Sequence, residues 1–256
     1  MTFKGIDKNF SLKDKVALIT GGAAGIGKAI ADLFGQKGAK LVLVDKSEAV
    51  SAAEKELSNN GVQTKGIATD ITIRENVERF VTTACDTFGT IDILVNNAGV
   101  VLLAPAEDLS DEAWDLTMSV NLRAPFMISQ IVGRKMIAQR SGKIINLASQ
   151  AGIVALDKHL AYCASKAAII SLTKVLAYEW GRFNINVNSI SPTVVLTELG
   201  KKAWAGPVGD AFKEKIPVGR FAYPEEIAAA ALFLASNAAD MISGENLVID
   251  GGYTIQ

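Results

Sequence analysis

Two side chains in the segment AYCASKAAIISLTKVLAYEW, which begins at Ala161, could do acid–base chemistry together: Tyr162 and Lys166. Residues four apart lie one above the other on a single helix face, so a phenol and an ammonium are stacked there. Such a pair is either a solvated surface contact or a device for moving a proton. A free tyrosine titrates near pH ~10, about three pH units too high for a good base at neutrality, a deficit of roughly 4 kcal/mol. One ammonium at about 4 Å supplies a comparable sum at an effective dielectric near 20. Lys166 is therefore sufficient to lower the pKa of Tyr162. The phenolate could then take the proton of a secondary alcohol, provided a hydride acceptor stood nearby.

Other chemistries have few residues to run on. His159 is the single histidine, and no serine sits in a G-x-S-x-G elbow, so a hydrolase triad is not expected. Cys85 and Cys163 fall in separate helical patterns without metal-ligand spacing; they read as small buried hydrophobes, and no metal site is expected. The formal net charge of −1, with a pI near 6.0, gives no electrostatic footprint for nucleic acid or an anionic membrane. The N-terminus scatters charges where a secretory signal would place an apolar stretch. The densest apolar run, IAAAALFLA from Ile227, is shorter than the roughly 18 residues of a membrane span. A cytoplasmic protein without membrane or nucleic-acid partner is expected.

The elements that must position the pair are legible from periodicity. Short β-rich apolar runs begin at Val16, Leu41, Gly66, Ile91, Lys143, Ile185 and Asn246. Between them lie helical patterns over roughly 25–37, 47–60, 73–88, 110–139, 160–181 and 224–236. Strands flanked by helices imply βαβ crossovers and a parallel sheet covered on both faces. The fold class is α/β: a doubly wound, seven-stranded parallel sheet forming a single domain over 1–256. The less regular stretch 193–217 leaves the carboxyl end of the sixth strand, where a substrate lid would sit.

The first strand runs directly into GGAAGIG, with Gly21, Gly25 and Gly27 spaced G-x-x-x-G-x-G before a helix. Glycines there permit a tight turn, close backbone approach to a pyrophosphate, and close helix–strand packing. The helix N-terminus adds free N–H groups and a positive dipole end. Asp45 ends the second strand about 20 residues on, where a carboxylate would bind an adenosine ribose and repel a 2′-phosphate, favouring NAD over NADP. Asp45 could instead cap the next helix, though Ser47 could do that. Lys46, a cation beside the site, could soften the discrimination.

With the glycine loop, NNAG at Asn96–Gly99 and YCASK in this order, the chain resembles the short-chain dehydrogenase/reductase family in its classical form, over roughly Asp14 to Gly252. The resemblance implies a Rossmann sheet, frequently a homotetramer, and a set of site residues. Asn121, Ser149, Tyr162 and Lys166 would be catalytic: Asn121 tying a water relay to the lysine, Ser149 orienting substrate. Asp70 would contact adenine, or else cap the helix that follows. Ile26, Ile71, Asn97, Ala98 and Gly99 would line the cofactor, as would Pro192 and Val195, with Thr197 holding the nicotinamide carboxamide. Thr193 stands where the family usually has glycine, which bears on the shape of the nicotinamide-side loop.

For substrate, the resemblance points to Gln150, Leu156, His159, Val194, Val195 and Trp204. Gln150 and His159 could bond a hydroxylated substrate or satisfy a loop backbone. In ALDKHLAYCASKAAI and SPTVVLTELGKKAWAG the chain is similar to bacterial NAD-dependent polyol dehydrogenases of the glycerol and threitol type. Two other readings stand beside that one. A 3-oxoacyl-carrier-protein or other carbonyl reductase would use NADPH, which Asp45 and the net charge oppose. A non-catalytic nucleotide-binding regulator would leave the intact catalytic set without purpose.

Overall fold

The computed structural model describes residues 5–255. Seven strands form one parallel sheet: β1 (Val16–Thr20), β2 (Lys40–Asp45), β3 (Thr64–Ala68), β4 (Ile93–Asn96), β5 (Gly142–Leu147), β6 (Ile185–Pro192) and β7 (Asn246–Ile249). Their order is β3-β2-β1-β4-β5-β6-β7. The order reverses between β1 and β4, and there the carboxyl ends of the strands open a crevice for a ligand.

The main helices are α1 (Gly25–Gln36), α2 (Val50–Asn59), α3 (Arg74–Phe88), α4 (Asp111–Met118), α5 (Ala124–Gln139) and α6 (Leu160–Trp180). Two short ones, α7 (Glu198–Ala203) and α8 (Pro207–Lys213), precede α9 (Pro224–Ala235). Strand side chains alternate between faces. Ala17 and Ile19 of β1, with Leu41 and Leu43 of β2, therefore join a core with Phe34 of α1 and Ile227 of α9. Val16, Leu18, Val42 and Val44 face the other way, onto Phe80 of α3 and Met127 of α5. Two apolar faces explain why β1 is buried at every position and reads as an unbroken run.

Several expectations need correction. The helical pattern over 110–139 is interrupted: α4 and α5 are joined by a turn of π-helix, Ser119–Arg123. The stretch 193–217 contains the two short helices α7 and α8. Both cysteines are only partly buried. Leu160–Phe183, comprising α6 and the turn after it, is long and apolar enough by length and composition to cross a membrane. Here it packs against β6 and carries the buried Ser165, Lys166 and Thr173 on one face. Its opposite face leaves Val175 and Tyr178 exposed.

Candidate active site

The glycine loop is shaped by contacts that a larger residue would break. A Cβ on Gly27 would lie 2.0 Å from the Gly21 oxygen, and Gly21 itself has φ +66°. The Asn97 amide donates to the Thr20 and Gly21 carbonyls at 3.0 and 3.1 Å. The Thr20 hydroxyl accepts from the Asn97 and Ala98 N–H groups at 3.0 and 3.1 Å. Thr20 was not marked from sequence; a hydroxyl at the last position of β1, facing the β4 loop, is the signal.

Ala24, which precedes α1, offers no side-chain cap. The first N–H groups of that helix therefore face the loop without a protein side chain to bind them, as an anion site requires. Asp45 accepts from Ala23 N at 3.1 Å and Ser47 N at 3.0 Å, pinning the end of β2 to the glycine loop. A carboxylate has about four lone-pair directions, so acceptor capacity remains for ribose hydroxyls. These features fit the adenosine and pyrophosphate of a dinucleotide.

Asp70 serves the chain first. Its carboxylate accepts from the Thr72 N–H at 2.9 Å, the Thr72 hydroxyl at 2.6 Å and Lys46 at 2.9 Å. The Thr72 hydroxyl, ahead of Lys46, holds it well below the usual carboxylate range, at about 2. It makes the turn before α3 rather than capping the helix, whose N-cap is Ile73. Ile71 is buried in the α3-side core, which leaves only its backbone to meet a ligand.

The reacting end lies across the sheet. A cavity of about 570 Å³ is lined by Tyr162 and Lys166, the pair picked out by spacing, and by Ser149, which the resemblance added. Gln150, His159 and Trp204 border the same space, as do Ile26, Asn97 and Gly99 from the cofactor side. Pro192, Val195 and Thr197 complete the wall from the β6 loop. Gly21, Gly25, Gly27, Asp45 and Asp70 stand outside it, towards the ends of β1, β2 and β3.

Lys166 is buried, and among the described residues its ammonium makes one hydrogen bond, to the Leu147 carbonyl at 2.7 Å. Two of its three donors remain. Its Nζ sits 5.6 Å from the centre of the Tyr162 ring. Burial pushes the ammonium down to about 8. The same burial pushes the Tyr162 phenol up from its ordinary value, with a Ser149 hydrogen bond opposing and neighbouring Cys163 adding to the rise. From sequence, Lys166 is expected to lower the pKa of Tyr162; in the protein without ligand, burial raises it instead. A desolvated cavity disfavours the charged form of both groups, so in the protein by itself each is driven towards neutrality.

Asn121 lies behind the cavity wall, not on it. Its side chain pairs with both backbone groups of Val100, accepting from N and donating to O, each at 2.8 Å. It also donates to the Ser165 hydroxyl at 3.3 Å, which donates to the Tyr162 carbonyl at 2.8 Å. The π-helical turn is thus tied to the first turn of α6. Gly99 fits between the two, since a Cβ there would meet Asn121 Oδ1 at 3.3 Å and Lys166 Nζ at 3.6 Å. Ser165 was missed from sequence; a small polar residue three after Tyr162, on the buried face, is its signal.

The remaining substrate candidates divide. His159 Nδ1 contacts the Asp157 carbonyl; a carbonyl only accepts, so that nitrogen carries a proton and Nε2 is left to meet a ligand. Its ring stands edge-on to Tyr162, centroids 6.1 Å apart. Trp204 packs on Phe212 at 4.8 Å and Phe221 at 5.9 Å, which anchors the 193–217 segment over the cavity. Thr197 caps α7 by accepting from Gly200 N at 3.0 Å, leaving its hydroxyl hydrogen to donate. Among the described residues no cluster of potential metal ligands occurs.

The family model described as enoyl-(acyl carrier protein) reductase matches residues 21–254. The chain belongs to the short-chain dehydrogenase/reductase family. It is 59% identical over 256 residues to an NAD-dependent glycerol dehydrogenase of Listeria innocua serovar 6a, covering 100% of both chains. It is 54% identical over 252 residues to a D-threitol dehydrogenase of Mycolicibacterium smegmatis, covering 98% of this chain and 97% of that one. Among solved structures, a gluconate 5-dehydrogenase of Burkholderia cenocepacia J2315, in complex with NADP and tartrate, superposes with a TM-score of 0.92 at 34% identity, covering 97% and 98% of the two chains.

Proposed function

We propose that the protein is a cytoplasmic, NAD-dependent dehydrogenase of a small polyol, interconverting a secondary alcohol and its ketone. The observation that carries this is the convergence of Ser149, Tyr162 and Lys166 on one cavity that Gln150 and His159 also line. The relatives named as glycerol and threitol dehydrogenases support the substrate class, and Asp45 at the end of β2 supports NAD. NAD supplies the hydride acceptor. Ser149 accepts from Ala151 N at 3.1 Å and hydrogen-bonds Tyr162; with substrate in place its hydroxyl would turn to hold the carbinol oxygen. Tyr162 takes the hydroxyl proton as phenolate and returns it in the reverse direction. Lys166 holds cofactor ribose with its two remaining donors. Its positive charge beside the phenol favours the phenolate once ligands complete the site.

The 193–217 segment, with Trp204, acts as the lid. Two surfaces support a homotetramer: the apolar groove of about 660 Å³ where Leu122, Phe126 and Leu172 meet, and the unpaired outer edge of β7. If each paired with its own copy, two unlike surfaces would build a closed tetramer with dihedral symmetry.

A panel of glycerol, threitol and related polyols, assayed with NAD and NADP by absorbance of the reduced nicotinamide, tests the reading. Turnover with NAD is the expected result. Silence across the panel, or a strong preference for NADP with 3-oxoacyl substrates, would overturn it.

A further inference from the structure

Three buried side-chain polar atoms have no hydrogen-bond partner among the described residues: Asn96 Oδ1, Gln150 Oε1 and Thr193 Oγ1. Asn96 belongs to a network inside the sheet, where its amide donates to Ser129 and Asn146. The other two belong to residues that line the active-site cavity. Gln150 is 2% exposed and Thr193 8%. An unpaired buried donor or acceptor costs on the order of 1–3 kcal/mol, and two beside one cavity call for a common cause.

Their nearness follows from strand register. Leu147 pairs with Ile190 at the end of the β5–β6 ladder, and Ala148 N still donates to Ile190 O at 2.8 Å. The two chains therefore leave the sheet side by side, Ser149–Gln150 next to Pro192–Thr193. Thr193 is fixed there by its N–H, which donates to the Ile249 carbonyl at 3.0 Å.

Thr193 also borders a cavity of about 380 Å³ on the β7 side, but each carboxylate there already accepts three hydrogen bonds. Asp250 takes the N–H groups of Gly252 and Thr254 and the Thr254 hydroxyl. Glu226 takes both Arg220 guanidinium nitrogens and the Tyr223 N–H.

We propose that Thr193, with Gln150, forms a subsite that reads a hydroxyl on the carbon next to the reacting carbinol. This rests on the polyol dehydrogenase reading. The chemistry matches one group. An amide oxygen only accepts and a threonine hydroxyl can donate, so the ligand must donate to one and accept from the other, as an alcohol does. A hydrogen or methyl group at that carbon would leave both protein atoms unpaired, and a site of that kind rejects an analogue that lacks its hydroxyl. Thr193 is thus a specificity residue that the usual glycine could not replace.

The test compares Thr193→Val, which keeps the shape, with Thr193→Ser, which keeps the hydroxyl, using the polyol that the wild type turns over best. We expect Thr193→Val to raise the KM for polyol about tenfold, with the KM for NAD within about twofold. Thr193→Ser should restore the wild-type polyol KM. The unfolding midpoint of Thr193→Val without substrate should not fall, because the hydroxyl has no partner to lose. An unchanged polyol KM overturns the subsite. So does a parallel rise in the KM for NAD, or a fall in midpoint that accounts for both, since either marks a cofactor-side or structural hydroxyl. A wild type silent on every polyol fails the underlying reading, and the subsite falls with it.

Discussion

The two ends of the crevice are finished to different degrees. At the adenosine end Asp45 and Asp70 are held by neighbouring backbone and by Thr72 and Lys46, with acceptor capacity left on Asp45. At the reacting end Lys166 has one partner, and Gln150 and Thr193 each have an oxygen with none. The first end is a platform whose shape the protein completes alone. The second holds unsatisfied groups and a desolvated ammonium at a cost in stability. Such a cost is the usual mark of a site whose partners arrive with the ligand.

The sharpest way to break this contrast is to remove the reacting phenol alone. Tyr162→Phe should lower kcat by roughly a thousandfold or more, within or beyond the usual span for a positioned acid–base group. NAD binding, read by quenching of protein fluorescence, should persist because the platform is untouched. Loss of binding together with rate would show that the two ends are not separable.

Lys166→Met should give opposite signs for activity and stability. The unfolded chain keeps the lysine proton up to about 10.5, while the folded protein releases it near 8. Between those values the unfolded state binds more protons, so wild-type stability rises with pH across that window. Below pH ~8 the buried ammonium is carried at a cost on the order of 3 kcal/mol. The variant should therefore lose turnover yet melt higher than wild type at pH 7. That advantage should shrink in melts taken near pH 10. A variant that melts lower at pH 7 would mean the ammonium stabilises the fold.

Asn121→Ala probes the join between the π-helical turn and α6. It leaves the Val100 N–H and carbonyl without their partner and so should destabilise the fold by about 2 kcal/mol in chemical denaturation. Through the Ser165–Tyr162 link, kcat should fall about tenfold with the KM for NAD little changed.

Sequence reached the platform better than the reacting end, for physical reasons. The glycine loop is a local device: strand, turn and helix lie within a dozen residues, and Gly21, Gly25 and Gly27 declare the backbone they need. All seven strands were legible because each is apolar on both faces or bounded by turns. The π-helical turn was not, because what stabilises it is Asn121 gripping Val100, 21 positions away, while the apolar pattern runs on unbroken. The direction of the Tyr162 shift was hidden for a similar reason. Spacing shows the ammonium four residues along, but only the closed cavity shows how strongly burial opposes both charges. Thr193 could be marked from sequence as a departure, whereas its unpartnered hydroxyl depends on two loops meeting at the ends of β5 and β6.

The smallest expected effect tests how complete the platform is. Lys46 is 81% exposed in its bridge to Asp70, and a pair so open contributes a few tenths of a kcal/mol at most. Lys46→Ala should therefore leave the unfolding midpoint nearly unchanged. Asp70 should stay ionised in mild acid, because the Thr72 hydroxyl leads the causes that lower it. Cofactor choice is where the variant should register. Asp70 already occupies the cation, so little of its charge is free for a 2′-phosphate, and the KM for NADP should rise only a fewfold while that for NAD holds. A large rise for NADP would mean that Lys46 leaves Asp70 to meet the phosphate, and that the adenosine end, like the reacting end, is completed by its ligand.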